Sequence, residues 1–159
     1  MNEVQRFELP EHLQTALQRR DWICELEKTI RNNPNSEESG TKTCPLIHQF
    51  ADGMYARTGF MPAGSVIVGK IHRYETINIL HEGVMSVITE DGGAEIYEAP
   101  RIFTSPAGCK KALYIIEDCY FTNVNRNRTD TRDLKELEDS LIVKDYDSFE
   151  IENRGESCG

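Results

Sequence analysis

From residue 44 onward, apolar and polar positions alternate in short runs separated by turn residues, the period-two pattern of half-buried strands. Runs over 54–60, 64–72, 76–81, 84–90, 94–98, 101–104, 111–117 and 119–124 are predicted as strands. Turn residues lie between them at Pro62-Ala63-Gly64, His81-Glu82-Gly83, Asp91-Gly92-Gly93 and Ser105-Pro106-Ala107-Gly108. Asp91-Gly92-Gly93 between two apolar runs is a hairpin signal. This many short strands within about 70 residues points to a sandwich or small barrel, a mainly-β fold. The flanks follow a helical period instead. After Pro10-Glu11, Leu13, Ala16 and Leu17 predict one helix, and Trp22, Ile23, Leu26 and Ile30 predict a second that ends before Asn32-Asn33-Pro34. Leu134, Leu137 and Leu141 predict a last helix over 131–142, followed by an acidic stretch in which Tyr146, Phe149 and Ile151 would add at most an edge strand. The expected organisation is a helical extension and loop over 1–43, a β-barrel over 44–128, and a helix with an acidic tail over 129–159.

Charge adds a second layer. The chain has 159 residues, with 27 Asp and Glu against 18 Lys and Arg, a net charge of −9. That balance argues against coating a nucleic-acid polymer, which needs a basic footprint. No apolar run approaches the ~20 residues that cross a bilayer, and MNEVQRFELPEH lacks an apolar signal-peptide core, so no membrane partner and a cytoplasmic location are expected. The acidity is uneven. Residues 130–159 carry a net −6 and residues 75–98 another −6, whereas 53–74 (Arg57, Lys70, Arg73) and 99–116 (Arg101, Lys110, Lys111) contain no acid at all. Such blocks are either solvated faces or the two walls of one anion-binding pocket. Cys24, Cys44, Cys109, Cys119 and Cys158 are odd in number and include no CxxC, which fits a reducing compartment better than a disulfide or zinc framework. Cys24 and Cys119 read as core residues and Cys158 as part of a loose tail.

The segment from Pro62-Ala63-Gly64 through Gly69-Lys70-Ile71-His72 and Asn78-Ile79-Leu80 to Gly83 resembles the first motif of the cupin superfamily. Ser105-Pro106-Ala107-Gly108-Cys109-Lys110-Lys111 resembles the second. Cys44-Pro45, His48, Phe50-Ala51, Gly53, Tyr55 and Arg57, with Ala99-Pro100 and Glu117-Asp118, extend the likeness over about 44–142 to small phage-encoded cupin-like proteins of unassigned activity. The resemblance implies a jelly-roll barrel with N-terminal helices and one C-terminal helix, and, for a phage protein, residence in the host cytoplasm. It also locates the family's metal-ligand positions, which here carry Lys70, His72, Thr76 and Lys111. Three of these four are not metal ligands, and an ammonium has no lone pair to give. No cofactor is therefore expected, with His48, His72 and Glu75 as a weak alternative metal set.

The same positions suit an anion. With period two, Val66, Val68, Lys70 and His72 share a strand face, and in the register the resemblance implies that face points into the barrel, opposite Lys111, Leu113 and Ile115. Arg57 and Arg101 would add planar two-donor contacts to carboxylate or phosphate. His48, Tyr55, Arg57, Lys70, His72, Asn78, Arg101 and Lys111 are the candidate ligand-binding residues for an anionic small molecule such as a nucleotide, which a phage protein would sequester from its host. A one-residue slip would instead turn both lysines to solvent. Two other readings stay open: an enzyme using His72 as general acid or base, with or without a metal, and a phage structural or interaction protein. No catalytic residue is assigned. His48 reads otherwise as a loop cap, and a homodimer is expected.

Overall fold

The computed structural model describes residues 9–38 and 40–156, so Cys158 lies outside the described residues. One helix, not two, precedes the strands: α1 spans Ala16–Arg31. Its start is set by a capping box in which the Thr15 hydroxyl accepts from the Gln18 amide at 3.2 Å while the Gln18 carboxamide accepts from the Thr15 amide at 3.0 Å. That box leaves Leu13 ahead of the helix and merges the two expected segments into one.

The strands are β1 (Leu46–Ala51), β2 (Met54–Met61), β3 (Val66–Val68), β4 (Ile71–His72), β5 (Thr76–Glu82), β6 (Val84–Thr89), β7 (Gly93–Glu98), β8 (Arg101–Ser105), β9 (Ala112–Ile115), β10 (Cys119–Arg126) and β11 (Ile142–Val143). They form an antiparallel five-stranded sheet, β1-β2-β10-β5-β8, facing a four-stranded sheet, β3-β9-β6-β7, with β4 and β11 paired apart from both. Met61, Leu80, Met85, Val87, Leu113, Ile115 and Cys119 fill the space between the sheets. Trp22, Ile23 and Leu26 of α1 cover the outside of the four-stranded sheet at Val68, Ile88 and Ala112. The fold is the mainly-β jelly roll with flanking helices that the pattern predicts, and the Asp91-Gly92-Gly93 hairpin joins β6 to β7.

Four details differ from expectation. Strand β1 runs through His48, so this residue is a strand residue and not a loop cap. The run 64–72 is broken at Gly69-Lys70. Before the break, Ile67 packs on the inner core and Val68 on α1, so Val66 and Val68 do not share the inward face of Lys70 and His72. After it, β4 leaves the four-stranded sheet and pairs with β11, Ile71 opposite Val143 and His72 opposite Ile142. At the C-terminus there are two helices, α2 (Leu134–Leu141) and α3 (Tyr146–Glu156), where one helix and an edge strand were expected. Asp133 starts α2 by accepting from the amides of Lys135 and Glu136 at 2.9 and 3.0 Å. Asp145 starts α3 by accepting from the Ser148 amide at 2.8 Å.

Arg73, directly after β4, holds this end together. Its guanidinium donates to the α2 carbonyls of Asp139 (3.0 Å) and Ser140 (2.9 Å) and to Glu152 of α3 (2.9 and 3.1 Å). These carbonyls have no partner within the helix, so a cation here satisfies them and opposes the helix dipole.

Gly83, between β5 and β6, adopts φ +90°, and a Cβ there would collide with the Asp118 carbonyl and the Cys119 sulfur. Gly83→Ala should therefore destabilise the protein by about 2 kcal/mol or more in chemical denaturation, since left-handed strain and a backbone clash add.

Candidate functional site

Pairing across the five-stranded sheet aligns the inward side chains in rows. In the middle row His48 stands opposite Arg57, Arg57 opposite Asn123, Asn123 opposite Asn78, and Asn78 opposite Phe103. On one side of it lies an apolar row, Leu46, Gly59, Phe121 and Leu80; on the other lie Phe50, Tyr55 and Asn125. A polar stripe thus crosses the barrel interior and borders a cavity of about 350 Å³. His48, Tyr55, Arg57, Lys70, His72, Asn123 and Asn125 line one side of that cavity, and Leu137, Glu138 and Leu141 of α2 close the other. The leucines are fixed there by packing on Tyr55.

His72 is the most perturbed group. Its Nδ1 lies 3.2 Å from the Thr76 hydroxyl. Burial, then the positive charges of Lys111 and Arg57, push its pKa down to about 4, against a weaker opposing hydrogen bond that the ring donates to Asn125. At neutral pH the ring is a neutral hydrogen-bonding group. Burial also lowers the pKa of Lys111, the inward residue that precedes Leu113 and Ile115 on the same side of the chain. His48 Nδ1 is 2.8 Å from the Tyr55 hydroxyl. Burial, and secondarily Arg57, holds the His48 pKa below its usual value, while burial raises that of Tyr55.

Of the eight candidate residues, the structure brings His48, Tyr55, Arg57, Lys70 and His72 to one cavity wall and places Lys111 within electrostatic reach of His72. Asn78 lies behind this wall. Its amide donates to the Thr76 carbonyl (2.9 Å) and the Ser105 hydroxyl (2.8 Å), and its carbonyl accepts from Asn123 at 2.7 Å. It orients Asn123 and has its bonds within the protein. Arg101 is elsewhere: paired in register with Leu80, it sits toward the far end of the strands, stacked 3.7 Å over the Tyr97 ring.

The acid-free segments look different in three dimensions. Lys70 pairs with Glu138, Arg73 with Glu152 (2.9 Å), Arg101 with Glu95 (3.8 Å) and Lys110 with Glu27 (2.7 Å). Among the described residues Arg57 and Lys111 make no ion pair, and these two are the cations that act on His72.

The metal implied by the family resemblance does not fit this donor set. Of the four positions, Lys70 and His72 line the cavity, Thr76 is hydrogen-bonded to His72 and Lys111 acts on it electrostatically, and together they supply one imidazole and two ammonium groups. Glu75 is exposed and is not on the cavity wall, so the alternative set with His48 and His72 is not assembled. No three His, Cys, Asp or Glu side chains gather as a metal-binding group among the described residues. The cavity residues that sequence reasoning missed are Asn123, Glu138, Leu137 and Leu141. The alternation of Asn123 with Asn125 in β10 was a usable signal; nothing local to α2 showed what it covers.

The sign of the pH dependence follows from His72. Its pKa is lower folded than unfolded, so between the usual value of 6.5 and about 4 the unfolded chain binds more protons. Stability should be undiminished by this group above 6.5 and should fall as the pH drops toward about 4. His72→Asn should flatten that part of a melting-temperature profile against pH, and imidazole NMR titration should place the His72 midpoint near 4.

No helix among the described residues is long and apolar enough to cross a membrane. No family model matches the sequence, and no curated protein matches it. Solved structures do. Salicylate 1,2-dioxygenase from Pseudoaminobacter salicylatoxidans aligns with a TM-score of 0.50 at 11% identity over 85% of this chain, which spans 40% of the dioxygenase. KdgF from Halomonas sp. aligns at 0.49 and 15% identity, over 62% of this chain and 94% of that one. The EutQ protein of Clostridium difficile aligns at 0.46 and 14% identity, over 58% and 76%. These are cupin-like proteins, and at such identities what is shared is the fold. The chain shares with these proteins the jelly-roll fold.

Proposed function

We propose that this protein is a binding barrel whose cavity takes a small anion, a carboxylate or phosphate, at Arg57 and Lys111 without a metal. The observation that carries this reading is the charge pairing: four of the six bases in the acid-free segments have acidic partners, and the two that make no ion pair among the described residues both act on one neutral histidine. Leaving cations desolvated and unpaired is costly, and an anion is the species that removes the cost. Arg57 offers a planar pair of donors, Lys111 a point charge, and Asn123, Asn125 and Tyr55 neutral hydrogen bonds around them. A histidine held near pKa 4 is far from the operating pH of a general acid or base, which favours binding over turnover. Likeness to phage-encoded proteins supplies a setting, the host cytoplasm, in which such a barrel sequesters a host metabolite.

Calorimetric titration at neutral pH with inorganic phosphate, short carboxylates, sugar phosphates and nucleotides tests the reading. Saturable binding is expected for at least one of them, weakened tenfold or more by Arg57→Ala, because hydrogen bonds to charged groups contribute roughly 1.5–3 kcal/mol. Lys111→Met should weaken binding similarly yet raise the melting temperature of the free protein by about 2–4 °C, the shift expected for roughly 1 kcal/mol in a chain of this size. Binding by none of these anions, or binding that neither substitution alters, overturns the proposal.

The outer face of the five-stranded sheet supports a homodimer. One cross-strand row on that face reads Ile47, Thr58, Thr122, Ile79, Ile102, with Ile47 57% and Ile102 71% exposed. Its polar groups are satisfied within the row and its neighbours, Thr58 to Thr122 at 2.7 Å and His81 to Thr122 at 2.6 Å. A row with exposed isoleucines, its threonine hydroxyls already paired, suits a second copy of itself better than a charged partner. Light scattering should give a dimer mass that Ile102→Glu reduces to a monomer; a monomer before substitution would refute this arrangement.

A further inference from the structure

We infer that the anion is the head of a longer ligand, a straight-chain carboxylic acid whose apolar tail lies in a second chamber behind Arg57; this rests on the anion-site reading. The second chamber, about 310 Å³, shares Glu38, Leu46, Arg57, Lys70 and Asn123 with the first, so the two adjoin with Arg57 at their junction. Each is near the lower end of the usual range for ligand pockets, roughly 300–1,000 Å³, so a ligand that occupies both is better enclosed than one confined to either.

The chemistry changes across Arg57. Along β2 the inward positions are Arg57, then Gly59, then Met61, a span of about 13 Å at strand rise. Beyond Arg57 the chamber is walled by Gly59, Met61, Ile67 and Phe121, none of which carries a charge or a hydrogen-bond donor in its side chain. Apart from Arg57 and Lys70, the charged groups on this chamber come from α1 and the loop after it: Arg31 pairs with Glu27 at 3.2 Å, Glu37 accepts from the hydroxyls of Thr41 and Thr43, and Glu38 stands on the side shared with the first cavity. Gly59 keeps the throat open. A Cβ there would lie 3.2 Å from Leu46 Cδ2, so any larger side chain would fill the passage beside Arg57. A cationic junction opening onto an apolar slot accepts a carboxylate with a hydrocarbon tail and excludes a ligand that is polar at both ends.

The test is a calorimetric series of acetate, butyrate, hexanoate and octanoate on the full chain, with inorganic phosphate as a head-only probe and adipate as a hexanoate analogue polar at both ends. Affinity should rise about three- to fourfold per added methylene until the slot is full, and hexanoate should bind more tightly than adipate. Gly59→Val should flatten the length dependence while leaving phosphate affinity in place. Ile67→Thr, which makes the slot polar without adding bulk, should weaken octanoate alone and serves if Gly59→Val fails to fold. Phosphate binding that depends on Arg57, with acid affinity independent of length, overturns the tail and leaves the anion site standing. Length dependence unchanged in both folded variants also overturns it. Failure of every probe to bind overturns the tail and the anion site together.

Discussion

The break at Gly69-Lys70 is the constraint on which the site depends. A strand that continued past Val68 would stay in register with β9 and keep its alternation, sending His72 to the face that α1 covers. Instead the Gly69 amide makes a last bond to the Lys111 carbonyl at 2.9 Å, and the chain leaves the sheet. The two residues of β4 then need a partner, and β11 supplies it. Because β11 follows α2 directly, pairing it with β4 swings α2 across the barrel mouth, where Leu137 and Leu141 meet Tyr55. Arg73 locks the arrangement by taking the carbonyls at the end of α2. One interruption in a strand therefore both aims His72 into the cavity and brings the wall that closes it.

Inside that enclosure the electrostatics are set by which charges found partners. Glu138 of α2 takes Lys70, and Glu27 of α1 takes Lys110, whose side chain is only 6% exposed. A buried pair such as Lys110–Glu27 holds elements in register more than it adds stability, whereas Lys70–Glu138 is exposed. Arg57 and Lys111 have no such acid among the described residues. Their effect is seen on His72, which remains neutral where an isolated histidine would already be gaining a proton. The barrel thus holds positive potential in a site lined by neutral donors and acceptors.

Much of this was legible in the sequence, and the misses have particular causes. Alternation in β2, β5, β9 and β10 correctly predicts strands, because period two is enforced wherever one face is buried. The fold class followed from the same signal. The break before β4 was hidden because Gly69-Lys70 interrupts a run of residues apolar on both sides, a pattern that reads as a continuous strand. Strand β1 was missed because Leu46-Ile47-His48-Gln49-Phe50-Ala51 has apolar residues on both faces. Helix α3 depends on contacts distant in sequence: Glu152 with Arg73, and Phe149 over Gly108, where even a methyl group would not fit. Charge blocks in the sequence likewise cannot show that acids of α1, β7 and the C-terminal helices neutralise four of the six bases in the acid-free segments.

The acidic C-terminal stretch, described above as the source of Glu138 and Glu152, has a kinetic consequence. Glu138, paired with Lys70, lies on the cavity wall, and Glu38 of the loop after α1 joins it there, so two carboxylates form an acidic collar. An anion approaching Arg57 must pass this negative collar before it feels the positive interior. Salt screens the exposed collar within a Debye length of about 8–10 Å but reaches the enclosed cations far less. On the proposed reading, capture of an anion therefore becomes faster as ionic strength rises, the reverse of what steering by an exposed basic patch would give.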